Sequence, residues 1–218
     1  MSQIFADKST LSTGKIETEF LSDEYIRPIM KLLHTRQGRF IVALLVGCVD
    51  GLTRHITRMK GLGVSERDIV IFERDYATYL RLRRAIIKRG LKVRIFHSCL
   101  LAGVKQLSQT ESFSYIEFDG VCQYGTFELD LYKLVKRLNI PILICQGSAR
   151  GQIDTVKQLG RSLKMKRRII NGYKCFELIP IAKRLIARKL RGYHNEIFTY
   201  RGVSNMYMQI SIQKGVSL

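Results

Sequence analysis

The sequence is poor in several things, and each scarcity excludes a class of protein. Only 3 of its 218 residues are proline, against 17 glycine, so neither a collagen-like nor a proline-rich disordered chain is in view. Its longest uninterrupted apolar run, Phe40 to Val46, has seven residues, far fewer than the roughly 20 that cross a bilayer as a helix. The amino-terminal residues lack the basic stretch and apolar run of a secretory signal, and the expectation is a cytoplasmic protein. Cysteines stand at 48, 99, 122, 145 and 175, an odd set with no C-x-x-C pair and no histidine at finger spacing. This favours a reducing compartment and small buried thiols over a disulfide framework or a metal site.

Acidic residues are the most telling shortage: 18 Asp+Glu face 37 Lys+Arg, a formal charge of +19. Residues 1–30 carry three basic and five acidic side chains, residues 31–150 twenty and ten, and residues 151–218 fourteen and three. The excess therefore belongs to the folded body. Such a field attracts a polyanion, and nucleic acid is the expected partner. A basic surface that serves solubility is the plainer alternative. No segment reads as a basic amphipathic helix with exposed aromatics, so no membrane partner is expected.

From Arg39 onward short apolar runs alternate with longer periodic segments, the pattern of βα units. Strands are expected at Phe40–Val46, Asp68–Glu73, Lys92–His97, Phe113–Asp119 and Ile140–Cys145, with helices between them. Right-handed crossovers then make a mostly parallel sheet covered on both faces. A helix is expected after Gly151 and another from about Phe176 to Leu190. Two alternating strands follow, Glu196–Tyr200 and Met206–Ile212, and the five residues between them hold no crossover helix, so the pair is antiparallel. The fold class is thus α/β, a Rossmann-like, mostly parallel seven-stranded sheet ending in an antiparallel hairpin. Residues 1–35 form an amino-terminal segment, mobile over Lys8–Thr18 and helical from Ser22 to about Thr35. Residues 36–218 form a single α/β domain.

In an open parallel sheet, ligands sit outside the carboxyl ends of the strands where the chain reverses, here between strands one and four. Gly47 and Gly51 bracket a tight strand-to-helix turn at that point. Glu73 ends the second strand 22 residues after Gly51, the spacing at which an acid meets ribose hydroxyls in a nucleotide site.

With the terminal hairpin, these features resemble the Rossmann-like S-adenosylmethionine-dependent methyltransferases over about residues 25 to 214. Dinucleotide dehydrogenases continue instead with a parallel sixth strand. The resemblance implies S-adenosyl-L-methionine as cofactor. It places Gly47, Cys48, Asp50 and Gly51 in the glycine-rich first motif, Glu73 at the ribose, and His97-Ser98 beside the adenine. Asp119-Gly120-Val121-Cys122 takes the place of the fourth motif, where the methyl acceptor is held. In the first motif the usual acidic position is Leu45 and the middle glycine is Val49.

Asp119 is read as a carboxylate that accepts a proton from the acceptor's amine or hydroxyl, or as a cap on the Asp-Gly turn. Tyr124 is a candidate to stack on a base, or an ordinary half-buried tyrosine. Cys122-Gln123 resembles the Pro-Cys-Gln segment of the cytosine-C5 methyltransferases, with Val121 at the proline position, which makes Cys122 a candidate nucleophile.

Cations cluster on the second helix (Arg81, Arg83, Arg84, Lys88, Arg89), at 164–168 with Arg167 and Arg168, and on the last helix. There Arg184, Arg188 and Arg191 share one face while Ile181, Leu185 and Ile186 can face the core. The 164–168 cluster and the last helix are the expected phosphate contacts, with a solvated charged face as the alternative. The reading is a methyltransferase acting on RNA or DNA. A non-catalytic nucleic-acid-binding protein on the same fold is the alternative, and a nucleotide-dependent oxidoreductase is disfavoured by the hairpin.

Overall fold

The computed structural model of the chain describes residues 13–37, 40–46, 48–123, 126–148, 178–201 and 205–216. Strands β1 (Ile41–Leu45), β2 (Ile69–Glu73), β3 (Arg94–His97), β4 (Phe113–Gln123), β5 (Ile142–Ser148), β6 (Tyr193–Arg201) and β7 (Asn205–Gln213) form one sheet in the order β3-β2-β1-β4-β5-β7-β6. The pairs joining β3 through β5 are parallel, and β7 pairs antiparallel with both β5 and β6. The expected parallel sheet and terminal antiparallel pair are therefore both present. The switch point also lies where expected, with β1 between β2 and β4.

Helices cover both faces. On one, α1 (Thr13–Gln37), α2 (Val49–Gly61) and α3 (Tyr76–Lys88) bury Ile26, Met30, Leu52, Ile56, Leu82 and Ile86 against Val42, Leu44, Ile71 and Ile144. On the other, α4 (Leu100–Leu107), α5 (Thr126–Arg137) and α6 (Leu178–Lys189) bury Val104, Leu131, Val135, Leu185 and Ile186 against Ala43, Phe72, Ile116 and Leu143. Strands buried on both faces need apolar residues at every position rather than alternate ones, which is why β1, β2 and β5 read as continuous runs. Gly103 of α4 is required by this packing, because a Cβ there would stand 2.1 Å from the Phe72 ring.

The structure departs from the sequence reading in several places. Helix α1 begins at Thr13, inside the stretch expected to be mobile. Its early turns are tied down by Glu19, 5% exposed, which pairs with Arg54 of α2. Pro28 lies within α1. Strand β4 runs to Gln123, four residues beyond its expected end. Strand β5 runs to Ser148, three residues beyond its expected end at Cys145, which is fully buried inside it. Arg191 lies just beyond α6 rather than on it. The helix expected after Gly151, with Arg167 and Arg168, lies outside the described residues.

Candidate active site at the carboxyl ends of the strands

The turn from β1 into α2 is built on close backbone approach. Cys48, extended at φ −155 and ψ 169, caps α2: its Sγ accepts the Gly51 N–H at 3.3 Å. A Cβ on Gly51 would meet the Val46 carbonyl oxygen at 2.7 Å and the Cys48 Sγ at 3.3 Å. Glycine is thus imposed here by contact, and the first turn of α2 is drawn against the end of β1. Cys48 and Asp50 are exposed, so the positive end of the α2 dipole opens toward solvent with a carboxylate beside it. Gly47 lies outside the described residues.

Glu73 closes β2 and is 8% exposed. Its Oε1 accepts the Asp75 N–H at 2.7 Å, and Asp75 in turn caps α3 by accepting the Thr78 N–H at 2.7 Å. That bond holds the exposed Asp75 carboxyl below its usual range. Glu73 stands in register with His97 of β3, and the Ser98 N–H donates to the Glu73 carbonyl at 3.0 Å. The structure therefore brings Glu73, His97 and Ser98 together. The His97 ring donates from Nε2 to the Arg74 carbonyl at 3.0 Å, since a carbonyl only accepts. Ser98 Oγ is engaged with the Cys99 carbonyl at 3.2 Å.

Asp119 pairs with Gln146 of β5, and the register then shifts before Gln123 meets Ser148. Four steps along β4 match two along β5, so Asp119-Gly120-Val121-Cys122 occupies an irregular stretch inside a strand rather than a turn. The Asp-Gly turn of the alternative reading is not formed there. Irregular pairing of this kind bends a strand and re-aims what it carries. Ile71 and Glu117 both stand opposite Leu44, so Asp119 is level with Glu73, and with adjacent strands about 4.8 Å apart the two backbone positions lie roughly 10 Å from each other. Tyr124 and the side chains of Asp119 and Cys122 lie outside the described residues. Among the described residues no three His, Cys, Asp or Glu side chains gather as a metal site.

Beneath this rim lies a buried ionic cluster that the sequence reading missed. Arg58 of α2 donates from Nε to both Asp23 oxygens, at 2.6 and 2.8 Å, and from Nη1 to both Glu117 oxygens, at 2.6 and 2.8 Å. Glu117, fully buried in β4, also accepts from Tyr115 Oη at 2.6 Å and from Gln146 Nε2 at 3.2 Å. Burial acts to raise the Glu117 pKa, but Arg58, then His55 and these hydrogen bonds bring it down to about 2. Asp23 shares the same guanidinium, and burial pushes its carboxyl up to about 6 against the pull of Arg58. An acid within the apolar run, two residues before the expected end of the strand at Asp119, was the available signal. Its partner is 59 positions away.

On the opposite layer Arg184 and Arg188 are exposed and Leu185 and Ile186 buried, the division expected for this helix. Arg191 is exposed beside them.

No family model matches the chain, and no curated protein matches it in sequence. Similar solved structures are plentiful. An O-methyltransferase from Bacillus cereus in complex with SAH has a TM-score of 0.52 at 14% identity, covering 95% of this chain and 94% of that one. An rRNA methylase from Streptococcus thermophilus has a TM-score of 0.54 at 8% identity, covering 94% and 99%. The fibrillarin/Nop5p complex has a TM-score of 0.52 at 10% identity, covering 81% and 74%. The fold is the Rossmann-like methyltransferase fold.

Proposed function

We propose that this chain is an S-adenosyl-L-methionine-dependent methyltransferase that acts on nucleic acid. The observation that carries the reading is Glu73: a nearly buried carboxylate at the carboxyl end of β2, one strand from the glycine-tight β1–α2 turn, in a sheet of methyltransferase order. The residues present fit the cofactor. Gly51 lets the first turn of α2 draw tight against the end of β1, and the exposed Asp50 offers a partner for an ammonium at the start of α2. Glu73 retains acceptor positions beyond the one that Asp75 uses, and these suit ribose hydroxyls. His97 and Ser98, held against Glu73 by the β2–β3 register, flank the place of the adenine.

When bound, the cofactor supplies an electrophilic methyl group on a sulfonium. In this reading the chain's own residues hold the acceptor and take its proton. Asp119 accepts the hydrogen bond of an exocyclic amine or hydroxyl and then its proton, a contribution typically worth about a hundredfold to ten-thousandfold in rate. Tyr124 stacks on the acceptor base, and Cys122 adjoins the same segment as a candidate nucleophile. Arg184, Arg188 and Arg191, with Arg167 and Arg168, contact phosphates. The excess positive charge and the likeness to an rRNA methylase fold support a nucleic-acid substrate.

A non-catalytic nucleic-acid-binding protein is the second reading. It is favoured by Leu45, which packs partly buried on the apolar core where the family carries an acid. Methyl transfer from labelled cofactor to total RNA or to unmodified DNA separates the two. Transfer that Asp119→Asn abolishes while cofactor binding persists supports the enzyme. Nucleic-acid binding without transfer by the parent supports the second reading.

A further inference from the structure

The sequence reading found no basic amphipathic helix with exposed aromatics, yet α3 is one. Its inward face, Leu82 and Ile86, is buried in the core. Its outward face begins with Tyr76, 59% exposed, and ends with Ile87, 69% exposed. Between and beside them stand Arg81, Arg83, Arg84 and Lys88, all exposed, with no acid anywhere in the helix.

Tyr76 is not an isolated ring. Its centroid lies 6.2 Å from that of Tyr79 at an interplanar angle of 24°, and 5.1 Å from His97. Tyr79 and His97 are 5.4 Å apart. The ring is thus braced from behind by two others while most of its surface faces solvent. Asp75 fixes the start of the helix by accepting the Thr78 N–H, which sets the position of Tyr76 one residue later. Arg83 and Arg84 follow two helical turns along on the same side, roughly 11 to 12 Å away at 1.5 Å per residue.

A braced, exposed aromatic at one end of a row of cations suits one kind of partner: an unpaired strand whose base lies on the ring while its phosphates meet the cations. We propose that α3 is a docking track for single-stranded nucleic acid, with Tyr76 as its base-stacking platform and Arg83, Arg84 and Lys88 as its phosphate contacts. The proposal rests on the nucleic-acid reading above and deepens it by naming an unpaired strand as the form recognised. The make-up of the outer face selects this occupant over a lipid surface. An interfacial helix needs a continuous apolar outer face, whereas this helix uses its apolar face on the core. The track starts at the carboxyl end of β2, so a strand lying along it arrives at the rim that holds Glu73. It lies near the β3 edge of the sheet, whereas α6 packs against β6 at the other edge.

The test uses the full chain and a fluorescein-labelled oligouridine of about 12 nucleotides, within the site sizes usual for single strands, read by fluorescence anisotropy across a salt series. Tyr76→Ala should weaken binding about tenfold or more with the salt slope unchanged, and Tyr76→Phe should restore it. Replacing Arg83, Arg84 and Lys88 together by Gln should lower the slope of log affinity against log salt by about 2. Thermal melting of each variant checks folding, and binding to the blunt duplex of the same length should respond less to Tyr76→Ala. Parent binding that neither variant changes would overturn the track and leave the α6 contacts standing. Failure of the parent to bind any nucleic acid would overturn the nucleic-acid reading itself. Retention on phosphatidylserine vesicles without oligouridine binding would assign α3 to a membrane surface and overturn the proposal.

Discussion

Among the described residues each face of the sheet is covered by three helices, yet the two faces are held by different physics. Under α4–α6 the buried contacts are apolar, from Val104 and Leu131 to Leu185 and Leu190, joined by uncharged hydrogen bonds from Tyr132 to Gln209 and from Gln209 to Ser211. Under α1 and α2 the apolar layer is interrupted by Arg58, which holds Asp23 with one edge of its guanidinium and Glu117 with another. Arg54 extends the cluster to Glu19 and to His55, at 3.2 Å. Apolar contacts tolerate sliding and repacking. A guanidinium gripped by carboxylates from α1 and β4 does not, because moving any one element leaves a charge buried and unpaired. The face next to the β1–α2 turn is therefore the one whose register is fixed by charge.

Breaking that contrast gives the largest expected effect. Arg58→Met leaves Glu117 buried without its cation, and should cost about 3 to 5 kcal/mol in denaturant unfolding. Adding Glu117→Gln should recover much of the loss, a non-additivity that a double-mutant cycle measures directly. A comparable loss from Leu185→Ala alone would bring the two faces level.

Next comes pH. Glu117, with its pKa depressed to about 2, contributes stability that is complete above its unfolded value near 4.3 and is lost as pH falls toward 2. At about 1.4 kcal/mol per unit this is on the order of 3 kcal/mol. Asp23, raised to about 6, acts in the other direction: the folded state holds its proton longer, so stability falls as pH rises from about 4 through 6. Asp23→Asn should flatten that fall and leave the acid limb unchanged. If the fall is identical in the mutant, another group titrates there.

On the apolar face, Gly103→Ala should cost about 1 to 3 kcal/mol by overpacking against Phe72, and Phe72→Leu in the same chain should relieve part of it. The smallest effect is expected at Arg94, whose bidentate pair with Glu111 at 2.6 and 2.7 Å is partly exposed. Arg94→Ala should lose at most about 1 kcal/mol. A loss as large as that of Arg58→Met would mean that burial does not distinguish the two arginines.

The strands were legible because a doubly covered sheet writes itself as uninterrupted apolar runs. Glu73 and Gly51 were legible because their spacing reflects one βα unit. The ionic cluster was not, since Arg58 and Glu117 are joined only by the fold. The first turns of α1 looked too polar for a helix because the residue that anchors them, Glu19, finds its partner 35 positions away. The Tyr76–Tyr79–His97 group likewise exists only where a helix start meets the end of a neighbouring strand. Asp119 was placed correctly in β4, but the irregular pairing that carries the strand past it has no local signature.

With the Glu73 rim as a cofactor site, calorimetric titration of S-adenosylhomocysteine into the full chain should give saturable binding. Glu73→Ala should weaken it at least tenfold, as expected for the loss of charge-assisted hydrogen bonds worth roughly 1.5 to 3 kcal/mol each, with the mutant still folded. No binding by the parent at high micromolar ligand, or equal affinity in parent and mutant, would contradict that site.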